Sequence, residues 1–326
     1  MTGSHAAASD RPDRQSRRPR RERRPVEPLP PAFLNLDKPR GVTSHDVVDF
    51  VRQLTGDKRV GHCGTLDPRA TGVLPLCIGA ATRLADHLVA ARKSYRAVAL
   101  LDVTTDTADL DGKVTARFTG APSREAVDAA VAAFRGATRQ QVPLYSAVRV
   151  DGARLHERAR AGETAVELPV REIRVDSLEV LAYAWPRLEL AVTCSKGTYI
   201  RQLGRDIGAQ LGVGGALDEL TRTAVGGLTL RDALAPSALA GAFLRGELPR
   251  VPWELAFEGT PLFRLASPTA ALHLRQGRPL WTADVLPAPS QPGTSIIVEE
   301  CGTPLAVVEV TLLAAGWRLQ PRKVLS

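Results

Sequence analysis

No apolar run in the chain reaches the roughly 20 residues that a membrane-spanning helix needs. The N-terminal stretch is arginine-rich with no apolar segment behind it, which argues against a secretory signal. Only four cysteines occur, at 63, 77, 194 and 301, and their spacing fits neither a paired zinc site nor a disulfide framework. Reduced, partly buried thiols in a soluble cytoplasmic protein are expected. The phosphate-loop pattern, G-x-G-x-x-G and G-x-S-x-G are all absent, which argues against nucleotide hydrolysis, dinucleotide redox and serine-hydrolase chemistry.

What is present suits a large folded domain plus a small one. The 326 residues are 44% apolar and carry a net charge of +8. Half of that charge lies in the first 30 residues, where eight arginines face four acids. Residues 1–29 have too few large apolar side chains to offset the entropy of ordering, and a disordered basic tail is expected over 1–30. The charge permits a nucleic-acid partner without requiring one.

Order begins with a short strand at Phe33–Asp37. A helix follows from Thr43, capped by its hydroxyl, with Asp46 in the first turn, Val47, Phe50, Val51 and Leu54 as its apolar stripe, and Gly56 as its end. Val73–Ile78 reads as a strand, 80–91 as a helix, 95–101 as a strand, and 106–112 as a turn. A further helix is expected at 123–134. Residues 138–168 lack periodicity and carry Arg154, His156, Arg158 and Arg160, which reads as a basic excursion from the core. Strands resume at 170–180. At 187–194 Leu188, Leu190, Val192 and Cys194 alternate with Arg187, Glu189, Ala191 and Thr193. A helix over 198–211 has Ile200, Leu203, Ile207 and Leu211 as its buried face. Beyond Val251, recurrent Pro, Gly and Trp with short strands predict a separate all-β module, with the boundary at 248–252.

The run RVGHCGTLDPRATGVLPLCIG at 59–79 concentrates the candidate chemistry. Gly64 and Gly72 bracket a loop that holds a single carboxylate, Asp67, fixed by Pro68. An acid on such a turn is a candidate nucleophile, and equally a turn-capping side chain. Arg201 and Tyr199, where strand meets helix, are expected to face a cleft. There Arg201 pairs either with the loop carboxylate or with an ordinary surface acid. Tyr95 opens a strand, as a base-stacking ring or a core residue. His62 suits a base, a ligand or a stacking wedge, with metal ligation the weakest choice because no second ligand stands at metal spacing. One acid with aromatics, arginines and a basic excursion suits chemistry on a nucleobase or its sugar.

Taken together, these segments resemble the bacterial TruB-type tRNA pseudouridine-55 synthases. The likeness runs from about Phe33 to Gly227. It rests on LDKPRGVTSHDVV (36–48), VGHCGTLDPRATGVLPLCIGAATR (60–83), KSYRA (93–97), TDTADLDG (105–112), QVPLYSAVRVDG (141–152), CSKGTYIRQLGRDIG (194–208) and LTRTAVG (220–226). It implies an α+β fold: the pseudouridine-synthase fold, with a mixed, largely antiparallel central sheet flanked by helices, over residues 31–250. A small β-rich PUA-like RNA-binding domain over 251–326 is implied as well. It further implies Asp67 as nucleophile, Arg201 as its ion-pair partner, and Tyr95 packed on the target uracil. His62 would fill the space of the flipped uridine, Tyr199 and Leu220 would line the pocket, and Lys38 would be structural or RNA-facing. The implied partner is the T stem-loop of tRNA, met by a monomer, with no cofactor and no metal. Two positions depart from the family pattern. Arg149 stands where a Lys is usual and His156 where a Tyr is usual, both in the RNA-gripping excursion, so Arg149 is the expected substrate contact there. Rival readings are a synthase acting on another uridine, an RNA-folding factor, and a hydrolase that releases uracil.

Overall fold

The computed structural model describes residues 29–163, 167–298 and 304–325. The basic tail, except for its last residues, and Cys301 lie outside them. The larger unit is built on a nine-stranded sheet. Its strands, numbered here along the chain, are β1 (Ala32–Lys38), β2 (Val60–His62), β3 (Thr71–Ile78), β4 (Lys93–Leu100), β5 (Gly136–Gln141), β6 (Val170–Ala184), β7 (Arg187–Cys194), β8 (Ala216–Val225) and β9 (Leu228–Thr229). The order across the sheet is β1-β3-β8-β4-β7-β6-β5, with β2 added to β3 and β9 to β8. Every pairing is antiparallel except β3 with β8, which run parallel through only two rungs, Thr71 opposite Thr221 and Gly72 opposite Arg222. The mixed, largely antiparallel sheet expected of the fold class is present.

Local chemistry accounts for the elements around the 59–79 segment. Helix α1 (Ser44–Thr55) starts on a capping box: the Thr43 hydroxyl accepts from Asp46 N, and Thr43 N donates back to the Asp46 carboxylate. It stops at Gly56, whose φ of 74° suits a residue without a Cβ. Its apolar face buries Val47, Val48 and Val51 against Leu74, Leu76 and Ile78 of β3. In β7 the alternation is realised, with Leu188, Leu190, Val192 and Cys194 all buried. After α2 (Ala85–Ala90), α3 (Arg124–Ala132) and α4 (Leu155–Arg160), helix α5 (Ile200–Gln210) buries Ile200, Leu203 and Ile207 against that face.

Three expectations change. The helix expected over 80–91 is a 3-10 turn, Gly79–Leu84, followed by a short α-helix, Ala85–Ala90. The Thr82 hydroxyl donates to the Gly79 carbonyl, which competes with α-helical pairing of that carbonyl. The basic excursion starts later than residue 138, because β5 is an edge strand of the main sheet. Its polar sequence hides the strand. Only Gln140 is buried, and its amide donates to Tyr199 O (3.1 Å) and accepts from Tyr199 N (2.8 Å). The C-terminal module has its own six-stranded sheet but is not all-β, since Ser267 caps a helix over Pro268–Arg275.

The boundary at 248–252 is closely packed. Val251 N donates to Phe33 O at 2.9 Å. Trp253 and Phe257 meet Phe33 edge-on at 5.3 and 5.9 Å between ring centres. One hydrophobic cluster joins Phe33, Cys63, Val73, Cys77 and Leu88 to Phe257, Ile296, Val298, Val307 and Leu325. At its rim Lys323 Nζ contacts Asp86 at 2.7 Å, and Arg83 donates to Val324 O at 2.8 Å. The small unit therefore shares a core with the back of the strands that flank residues 63–70. Removing residues 251–326 should destabilise the rest, beyond any loss of RNA affinity. Phe257→Ala should lower global stability by about 3 kcal/mol or more in urea unfolding followed by circular dichroism.

Candidate active site

The segment between β2 and β3 leaves the sheet where the neighbours of β3 change. On one edge β3 pairs with β2 at residues 76–78 and with β8 only at 71–72. Residues 63–70 emerge between the two. Leu66 and Ala70 are buried, and Asp67 lies between them with its side chain 44% exposed. Ala70 N donates to Asp67 O at 3.0 Å, which closes the turn.

Four groups pin this turn from behind. The Ser44 hydroxyl accepts from Leu66 N (2.8 Å) and donates to Leu66 O (3.1 Å). Gly41 N donates to Pro68 O at 2.8 Å. Lys38, fully buried at 0% exposure, donates to the carbonyls of Pro39 (3.0 Å), Val42 (2.7 Å) and Pro68 (3.2 Å). Arg222, 1% exposed, donates from Nε to Val73 O (2.7 Å), from Nη2 to Gly64 O (3.0 Å) and from Nη1 to Thr65 O (3.4 Å). Just past the last β3–β8 rung, then, a guanidinium takes the place of the backbone donor that the diverging strand withholds. The close approach requires Gly72. Its φ is +99°, and a Cβ there would lie 2.2 Å from Arg222 O.

In front of the turn stands Arg201, with its side chain 7% exposed. Its Nε meets Asp67 Oδ2 at 2.9 Å, and Nη1 lies 3.4 Å from Asp109 Oδ2. Nη1 also donates to Thr107 O and Nη2 to Tyr145 O, both at 3.1 Å. One side chain thus ties the catalytic turn, the 105–112 turn and the start of the excursion to α5. The helical pattern misleads here: Arg201 is a neighbour of the buried stripe yet is itself buried, because two carboxylates and two carbonyls satisfy it.

Asp67, Arg201 and Leu220 line one cavity together with Arg69, Ala70, Asp109, Leu217 and Asp218. Its volume, about 20 Å³, holds about one water. A larger groove of about 550 Å³ lies away from the site beside Pro122, Ala126 and Leu211, and no titratable side chain lines it. Tyr95 stands opposite Arg222 in the β4–β8 register and, like Leu220, packs against both neighbouring core clusters. Desolvation pushes its phenol up to about 12, with the Arg222 charge pulling the other way. His62 ends β2 half-buried, and its Nδ1 has no hydrogen-bond partner among the described residues. Burial, and then the charge of Arg222, lower its pKa, so the imidazole is neutral at pH 7.

Other candidates are placed differently. Lys38, expected as structural or RNA-facing, has no exposed surface and holds the backbone of the turn, which favours the structural alternative. Tyr199 precedes α5 and does not line the cavity. Arg149 is exposed on a short hairpin, where its Nη1 donates to Gly152 O at 3.3 Å. His156 Nδ1 bonds Ser146 O at 2.9 Å within the excursion. Arg222 and Asp109 were not anticipated as site residues. Their signal lay in LTRTAVG and TDTADLDG, where a charge sits among strand and turn formers.

Comparison with known proteins agrees with this geometry. Residues 52–200 match the TruB family pseudouridylate synthase N-terminal domain. The chain is 47% identical over 221 residues to tRNA pseudouridine synthase B of Moorella thermoacetica, covering 66% of this chain and 72% of that protein. Against the Trichormus variabilis protein of the same name it is 42% identical over 242 residues, covering 73% and 82%. Among solved structures, a chain of the Cbf5-Nop10-Gar1 complex superposes with a TM-score of 0.71 at 25% identity, over 90% of this chain and 85% of that one. The family match and these relatives place the chain among the isomerases of uridine. The chain belongs to the TruB family of pseudouridine synthases.

The buried cations behind the turn make two predictions. Burial pulls the Lys38 pKa from 10.5 down to about 8, against the charge of Asp67. Between those values the unfolded chain holds a proton that the folded chain has released, so this group makes stability rise with pH across the window. Lys38→Met lacks that rise, and the stability gap to wild type in urea should widen from about pH 8 to about pH 10. Arg222→Met should cost about 3 kcal/mol by the same measurement, because three carbonyls lose a charged donor.

Proposed function

We propose that this chain isomerises uridine 55 in the T loop of tRNA to pseudouridine, with Asp67 as the nucleophile. The observation that carries the reading is the Asp67–Arg201 pair at the edge of a cavity floored by Leu217 and Leu220. The choice of substrate is supported by the relatives, which are named for tRNA. The cytoplasm fits three buried free thiols, Cys63, Cys77 and Cys194. All the proposed catalytic groups come from one chain, as a working monomer requires.

The reaction breaks the N1–C1′ bond of the uridine, turns the base, and joins C5 to C1′. The proton on C5 leaves and N1 gains one, so the mass is unchanged and no electrons are gained or lost. The base must first leave its stack, which costs a few kcal/mol. Contacts to the RNA backbone from the 142–169 excursion, Arg149 among them, and from the C-terminal unit offset that cost. His62, neutral and lacking a partner at Nδ1, is suited to occupy the vacated stack. Asp67 Oδ1 is the oxygen free to approach the sugar, since Oδ2 is engaged by Arg201. Tyr95 and Leu220 form an apolar wall for the uracil, and Tyr95 presents a neutral hydroxyl at pH 7.

Asp67→Asn keeps the shape of the turn and removes the nucleophile. Tritium release from C5-labelled tRNA should fall by about 10³-fold or more, with tRNA affinity within about threefold of wild type. Wild-type turnover in that variant would reject the assignment.

A further inference from the structure

The residue two places past the nucleophile has surroundings that the reaction scheme above does not use. Arg69 lines the catalytic cavity, with its side chain 27% exposed. Nη1 contacts Asp111 Oδ1 at 2.7 Å on the 105–112 turn, and Nη2 lies 3.7 Å from Asp218 Oδ1 on β8. Its Nε is buried and has no hydrogen-bond partner among the described residues. One guanidinium therefore bridges the walls of a space that holds about one water. A space of that size cannot hold a nucleotide while the bridge stands, even though the Asp67 side chain itself is 44% exposed.

Opening it leaves neither carboxylate stranded. Asp111 is 59% exposed and regains water. Asp218 keeps a second cation, Arg187, at 3.6 Å, and Arg187 also reaches Glu219 at 3.5 Å. The nucleotide brings what the released guanidinium lacks. A flipped-out residue carries phosphates on both sides of its sugar, and a planar donor fork matches a phosphodiester. Without Arg69, the phosphates would meet Asp111 with no ion-pair partner among the described residues, and Asp218 with Arg187 alone.

We propose that Arg69 is a substrate-binding latch: held by Asp111 and Asp218 in the free protein, it exchanges them for a backbone phosphate of the flipped-out nucleotide. This deepens the proposed function and rests on it. It makes Arg69 the residue that couples opening of the cavity to capture of the nucleotide.

The test measures tRNA binding across a salt series for wild type, R69M, R69Q and D111N, with pseudouridine mapped in the wild-type product. R69M should weaken binding about tenfold at moderate salt. It should also reduce the slope of log affinity against log salt by about 0.7, the loss of one phosphate contact. R69Q, which can still hydrogen-bond Asp111 but has no charge, should lose the same slope, and it decides the matter if R69M does not fold. D111N releases the guanidinium, and should keep the wild-type slope and bind at least as tightly. A wild-type slope in the folded Arg69 variants overturns the latch, as does D111N weakening binding as much as R69M. If the wild-type protein yields no pseudouridine in tRNA, the functional reading fails. Pseudouridine with an unchanged slope in the Arg69 variants removes the latch alone.

Discussion

The site depends on buried cations that hold backbone carbonyls and have no carboxylate partners among the described residues. Arg222 grips the carbonyls of Gly64, Thr65 and Val73, and Lys38 grips those of Pro39, Val42 and Pro68. Taking such charges out of water is expensive, and the same burial lowers the pKa of Lys38. Carbonyl dipoles offset the expense only while the turn keeps its shape. The cations and the turn therefore stabilise each other, and Asp67 is presented on a backbone with little freedom to relax. Lys93 repeats the device nearby, donating to the carbonyls of Leu88, Val89 and Ala91 at the end of a short helix.

Such an arrangement suits a reaction in which the carboxylate must meet one carbon of a mobile substrate. Orientation by Arg201 is useful only if the turn carrying Asp67 does not drift. The sheet provides this. Its one parallel joint, β3 with β8, is short enough to leave a gap, and the gap is filled by a side chain from the joint itself. Tyr95 lies across the next ladder from that side chain, so the proposed wall for the uracil and the clamp behind Asp67 share a strand pair.

Much of this was legible in the sequence. The capping box of α1, the alternation in β7 and the Gly-bracketed acid at 67 are local patterns, and local chemistry decides them. Arg201 was legible as a partner for Asp67 only through its place after a strand, and its depth was not. Arg222 was illegible because an arginine in LTRTAVG reads as the exposed side of a strand. Its burial follows from strands that diverge, which is a property of the sheet and not of the segment. Polar β5 escaped for the converse reason: an edge strand that buries one glutamine has no apolar rhythm. The 3-10 turn before Ala85 turned on one threonine hydroxyl. The boundary near residue 250 has the composition of a linker, yet it packs as core, because Trp253 and Phe257 find Phe33 across more than 200 residues of chain.

Gly72 has a consequence for how this chain can vary. Any other amino acid there carries at least one more carbon, and that carbon would fall inside the oxygen of the opposing peptide. No rotamer choice relieves a collision made by the first atom of the side chain. The only escape would be to part β3 from β8, which would pull the Arg222 guanidinium off its three carbonyls and release the nucleophile's loop. A change of one hydrogen to a methyl, at a position with no side chain to contribute to chemistry, would thus disarm the enzyme.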